Sequence, residues 1–136
     1  MQGSAGLEDS AFSDDFCAFL QGSVPSVDAA ELLLALARDP QRAWLAGELA
    51  RSLRPHSTVS DADTQRYLEQ FQAAGLVTTA PDGRRHYRPA GETLAAHVDM
   101  LALAYKERPV TLFRVIYALR DLKIQSFADA FKLKRK

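Results

Sequence analysis

Apolar residues along this chain recur with helical spacing in successive stretches and with strand spacing in one. Leu45, Leu49 and Leu53 fall four apart, which predicts a short helix over about 45–53 with the three leucines on one face. Leu68 and Phe71, edged by Thr64 and Tyr67, predict a second helix over about 60–74. Ser60 is its cap, Asp63 completes a weak capping box, and Gly75 supplies the left-handed residue that ends it. Then the period changes. Leu76-Val-Thr-Thr, an Asp82-Gly83 pair and His86-Tyr87-Arg88 are two short β-prone runs around a tight turn, a hairpin over about Leu76 to Tyr87.

The flanks return to helical periodicity. Ser13 caps a short helix whose Phe12, Phe16, Phe19 and Leu20 share a face and which Gly22 closes; that face covers its own domain or reaches a partner. Asp28 and Glu31 read as a capping box opening a helix over 28–38, with Leu33, Leu34 and Leu36 on its buried side and Asp39-Pro40 as its stop. Trp44 reads as a core lid or sheet anchor. Beyond Gly91, Leu94, Val98, Leu101 and Tyr105 keep a four-three-four spacing, a coiled-coil-like seam on a helix over 91–107 that Arg108-Pro109 breaks. A helix over 110–123 follows, striped by Leu112, Ile116 and Leu119 with Val115 and Leu122 beside them. Ser126 to Asp129 then caps a last short turn carrying Phe127 and Phe131.

Helix, turn, helix and hairpin in that order is the layout of a winged helix-turn-helix domain. The expected fold is therefore mostly α with a small β-hairpin and additional N- and C-terminal helices. Three regions are expected: an acidic segment with a short helix over 1–24, the core over 25–90, and C-terminal helices with a basic tail over 91–136. From Asp28 to Pro89 the chain resembles bacterial winged-helix transcription regulators of the MarR and ArsR type. The resemblance rests on Glu48-Leu49-Ala50, on Tyr67-Leu68-Glu69-Gln70-Phe71 followed by Ala74-Gly75-Leu76-Val77, and on Asp82-Gly83-Arg84-Arg85. It implies a protein that binds double-stranded DNA, with the second motif helix in the major groove and the hairpin on the backbone or minor groove. One departure is the corner: Arg54 to Val59 is longer than the usual three or four residues and contains a proline.

The residues expected to meet DNA follow from this layout. Asp61, Ala62, Gln65, Arg66, Glu69 and Gln70 are the predicted exposed positions of the second motif helix. Ser60 stands at its start, and Gln65, Arg66 and Gln70 are side chains suited to base edges. Arg84, Arg85 and Arg88 lie in the hairpin, where guanidinium groups suit phosphate or a narrow minor groove; the plainer reading is solvated charge. The C-terminal stripes, Leu94, Val98, Leu101, Tyr105, Leu112, Ile116 and Leu119, exceed what a small core needs. They are expected to form a homodimer interface or, alternatively, an intramolecular helical hairpin.

Charge complicates the DNA reading. The 136 residues carry 17 basic and 17 acidic side chains, so net charge is zero. Glu8, Asp9, Asp14 and Asp15 face no base in residues 1–25, whereas residues 105–136 are strongly basic. Phosphate contacts need Lys and Arg, so neutrality favours the rival reading, a winged-helix module that binds a protein partner and no DNA. With 47% apolar residues the chain suffices for one globular core. Met1 to Ser10 has no periodicity and reads as a mobile terminus. No long apolar run, no secretory leader and the single Cys17 lead us to expect a cytoplasmic protein with no membrane segment. His56, His86 and His97 are scattered, and His97 reads as a half-buried helix residue. No metal cluster, phosphate-cradling loop or catalytic constellation is seen, so neither a cofactor nor enzymatic activity is expected.

Overall fold

In the computed structural model, which describes residues 12–134 and the side chains of residues 12–121, the chain is mostly helical with one small antiparallel sheet. The predicted mobile segment Met1–Ser10 lies outside the described residues. At the centre is α2 (Val27–Arg38), in which Ala29, Ala30, Leu32, Leu33, Leu34, Ala35 and Leu36 are all buried. A helix apolar on nearly every side must be enclosed. It is packed by α3 (Ala46–Ser52), α4 (Asp61–Ala73), β2 (Arg85–Tyr87) and α5 (Glu92–Glu107).

The box predicted at Asp28 and Glu31 does not form. Ser26 is the N-cap instead, its Oγ accepting from Ala29 N–H at 3.0 Å. Asp28 already sits in the first turn, and both carboxylates serve tertiary contacts. Asp28 Oδ1 accepts from the Ser57 hydroxyl at 3.1 Å, and Glu31 Oε2 accepts from the Tyr105 hydroxyl at 2.8 Å. The helix stops at Arg38, before Asp39-Pro40, as proline requires.

At the N-terminal side, α1 (Asp14–Ser23) is capped by Ser13, which accepts from Phe16 N–H at 3.1 Å. It runs one residue past Gly22 to a cap at Val24. Phe12, Phe16, Phe19 and Leu20 are buried in the same core as α2, against α5 and α6 (Pro109–Lys134) of their own chain. His97 is half-buried, its ring stacked on Phe19 with centroids 5.2 Å apart.

The turn between α5 and α6 falls at Arg108, with Pro109 at the first helical position, where its missing N–H costs nothing. No separate turn begins at Ser126. The backbone of α6 is helical through Lys134, because no glycine or proline follows Pro109 and a serine inside a helix costs only a few tenths of a kcal/mol. The side chains of Leu122, Phe127 and Phe131 lie outside the described ones.

The seam predicted for a subunit interface is spent inside the chain. Val98, Leu101, Leu112 and Ile116 are at most 1% exposed, and Leu94, Tyr105 and Leu119 are half-buried. Their apolar surface is covered where α5 meets α2 and α6 and where α6 meets α1. Among the described side chains of these two helices, Met100, Leu103, Val110 and Tyr117 are the large apolar ones that stay exposed.

The sheet pairs β1 (Val77–Thr79) with β2 in the register Val77–Tyr87, Thr78–His86 and Thr79–Arg85. Gly75, at φ 83°, ends α4, and Gly83, at φ 88°, makes the hairpin turn; both lie in the left-handed region that disfavours side chains. No helix among the described residues is long and apolar enough to cross a membrane.

Two expectations follow. Leu101→Ala should lower stability to urea by about 2–5 kcal/mol, as for a buried leucine, while Leu103→Ala should change it by about 0.5 kcal/mol or less. Burial, and then the bond to Glu31, push the Tyr105 phenol up from 10.0 to about 12. A raised value means that the folded state holds the proton more tightly, so this contribution is complete below pH 10.0 and is lost as pH climbs toward about 12. Urea midpoints measured across that window should fall more steeply for the wild type than for Tyr105→Phe.

Candidate nucleic-acid interface

The face in question is built from α3, residues 53–60, α4 and the hairpin. In α3 the leucine stripe divides: Leu49 and Leu53 are buried, but Leu45 is the N-cap residue and 42% exposed. Its amide donates to Glu48 Oε1 at 3.1 Å. Gly47 lies against the start of α4, where an added Cβ would come within 3.2 Å of the Asp61 carboxylate. Despite the long connection, α3 and α4 pack directly on each other. Ser57, buried in the connection, holds it by donating to Asp28 and accepting from Val59 N–H at 3.2 Å.

In α4 the buried side is Thr64, Leu68 and Phe71. Thr64 is fully buried rather than at the edge, its hydroxyl donating to the Ser60 carbonyl at 2.8 Å. Tyr67 is half-buried, with its hydroxyl 2.9 Å from Ser26 Oγ, which ties α4 to the α2 cap. The capping role of Ser60 is present through Asp63 N–H at 3.0 Å. Asp61, Ala62, Gln65, Arg66, Glu69 and Gln70 are all exposed, as their spacing predicts. Two of the proposed base-readers are engaged within the helix. Gln65 Nε2 donates to Glu69 at 3.2 Å, and Arg66 pairs with Asp63 at 2.8 Å while lying 5.7 Å from the Tyr67 ring centre.

The hairpin arginines have different surroundings. Arg84 is clamped between two carboxylates, Glu48 of α3 at 2.8 Å and Asp82 of the turn at 3.3 Å. The Leu45 amide, chiefly, and the Arg84 guanidinium hold the Glu48 carboxyl below its ordinary value, partly offset by desolvation. Arg85 turns inward. It forms an isolated antiparallel bridge with Trp44, the two exchanging backbone hydrogen bonds of 2.8 Å each. Paired residues of that kind project side chains on the same face of the ribbon. Trp44 is 5% exposed, and Arg42 lies over its ring at 3.6 Å. Trp44 Nε1 and Arg85 Nε and Nη1 are shielded from solvent and donate to nothing among the described residues. Of the hairpin arginines, Arg88 is the one that stands exposed and makes no ion pair among the described residues.

The structure thus brings Ser60, Gln65, Arg66 and Gln70 onto one open helix face beside the hairpin. An open hollow of about 480 Å³ lies between that helix and the hairpin, lined by Gln72, Thr78, Thr79 and Arg88 among others. The Thr79 hydroxyl donates to the Gln72 side chain across it. Sequence reasoning missed the roles of Glu48 and Arg42. Glu48 was legible as a residue three after an N-cap, but its partner lies 36 residues away. No group of three or more potential metal ligands occurs among the described residues. Comparison of the chain with protein-family models, with characterised proteins and with solved structures finds no match.

If the Glu48–Arg84 pair anchors the hairpin to α3, Glu48→Gln should loosen it. Trypsin should then cut after Arg84 several-fold faster than in the wild type, with cleavage elsewhere unchanged. Equal cleavage rates would show that the Trp44–Arg85 bridge holds the hairpin unaided.

Proposed function

We propose that this chain is a winged helix-turn-helix DNA-binding regulator, with α4 as the helix that enters the major groove and the β1–β2 hairpin as its wing. The observation that carries the reading is the division of α4. Thr64, Leu68 and Phe71 anchor it to the core, while Gln65, Arg66, Glu69 and Gln70 are exposed. A polar helix face held out rigidly beside a basic hairpin is what groove readout needs. Gln65, Arg66 and Gln70 would face base edges, and Ser60 and Arg88 would face the backbone. Arg84 joins them only by exchanging Glu48 for phosphate. A homodimer belongs to this proposal through the exposed Met100, Leu103, Val110 and Tyr117, since the 94–119 seam is already covered.

A second reading has a specific observation behind it. Among the described residues Arg66 and Arg84 are paired with carboxylates and Arg85 is enclosed, and α4 itself carries Asp61, Asp63 and Glu69 against Arg66. Such a surface suits a protein partner with its own polar complement and needs no nucleic acid.

A salt titration separates the two. DNA from upstream of the protein's own gene should bind with a log–log salt slope of roughly −0.9 per phosphate contact, and Arg88→Ala should flatten it by about one contact. Arg66→Ala should cost about 1–3 kcal/mol on the preferred site and less on random DNA, if the contact is bidentate. No measurable affinity at about 50 mM salt would hand the face to the protein-binding reading.

A further inference from the structure

A cavity of about 260 Å³ lies beside α2, where three elements converge. Glu31, Leu34 and Arg38 come from α2, Ser52, Leu53, Arg54 and His56 from the end of α3 and its connection, and Tyr105 from α5. Its size is a little below the roughly 300–1,000 Å³ of ordinary ligand pockets, so it suits only a small molecule. The walls combine apolar surface, from Leu34, Leu53 and the Tyr105 ring, with charges of both signs.

Glu31 is the acceptor in this site. Its side chain is 12% exposed. Oε2 is occupied by the Tyr105 hydroxyl at 2.8 Å and faces His56 Nε2 at 3.8 Å. Oε1 accepts no hydrogen bond among the described residues and is not sealed from solvent. A mostly desolvated carboxylate with a free oxygen is an acceptor for a cationic donor. The opposite charge is also present. Arg38 and Arg54 line the same cavity, and neither pairs with a carboxylate among the described residues. Arg54 makes a single long bond, from Nη2 to the Val59 carbonyl at 3.4 Å.

These charges select the ligand. A simple anion would meet the Glu31 carboxylate, and a simple amine would meet two guanidinium groups. Only a molecule carrying both an ammonium and a carboxylate satisfies the acceptor and the donors together. We propose that this cavity binds a free amino acid, with its ammonium on Glu31, its carboxylate on Arg38 and Arg54, and its side chain against Leu34, Leu53 and Tyr105. Occupancy would bridge α2, the α3–α4 corner and α5, so the ligand is placed to stiffen the corner from which α4 projects. Binding itself does not depend on α4 contacting DNA.

The test is calorimetric titration of the full chain with the proteinogenic amino acids one at a time, each paired with its deaminated carboxylate and its decarboxylated amine. At least one amino acid should bind, and both of its analogues should bind about tenfold or more weakly, as the loss of a charge-assisted contact implies. Glu31→Gln and Arg54→Gln should each weaken that amino acid by a similar factor. The second change is at an exposed residue and leaves the fold intact, which a thermal melt of each variant checks. No binding by any amino acid would overturn the proposal, as would an analogue that binds equally well or affinity unchanged in both variants.

Discussion

The enclosure of α2 is the constraint on which the other elements depend. Leu32, Leu33, Leu34 and Leu36 are buried on different sides of one helix, so no single neighbour can cover them. Each leucine removed from water is worth about 1.5–3 kcal/mol, whereas an exposed ion pair is worth about 0–1 kcal/mol. Packing around α2 therefore sets where α3, α4, α5 and β2 lie, and polar contacts only choose among the ways of packing. Those contacts cluster near the start of α2. Ser26 meets Tyr67 of α4, Asp28 meets Ser57 of the connection, and Glu31 meets Tyr105 of α5. A burial force without direction is thus combined with directional bonds at one end.

Once the core has positioned α4 and the hairpin, the electrostatics of the outer face are decided locally. Arg84, which as an isolated side chain would be a phosphate ligand, sits between Glu48 and Asp82. Arg66 sits on Asp63. A nucleic-acid partner would have to displace carboxylates that are covalently tethered nearby, and salt would weaken the incoming phosphate contacts at the same time. The interface proposed here is accordingly one of modest charge, in which the polar face of α4 contributes more than the hairpin does.

The same packing creates the cavity. Glu31, Leu34 and Arg38 share a face of α2 because they are three and four residues apart, and α5 and the α3–α4 connection close over that face. Leu53, Arg54 and His56 thus face the cavity while belonging to the corner that sets the position of α4. The cavity and the α4 face are linked through a connection longer than a minimal helix-turn-helix corner.

Much of this was written in the sequence. Periodicity located the helices, Asp39-Pro40 and Arg108-Pro109 stopped two of them, Gly75 and Gly83 marked the left-handed positions, and the exposed face of α4 followed from Leu68 and Phe71. These are local properties: a helix face, a blocked φ angle or a missing amide is decided within a few residues. Partnership was not legible. Nothing near Leu101 or Ile116 distinguishes an apolar stripe covered by its own chain from one awaiting a second chain, because burial has no memory of which molecule supplies the cover. Glu31 read as the end of a capping box until α5 delivered Tyr105 to it from 74 residues away. Arg84 and Arg85 are neighbours of the same chemistry, yet Arg84, just before β2, meets Glu48 while Arg85, the first residue of β2, pairs with Trp44. Element type and most boundaries are local and so legible in the chain, although α6 runs on past its expected end to Lys134; which charges meet one another is not local, because it depends on residues brought together by the enclosure of α2.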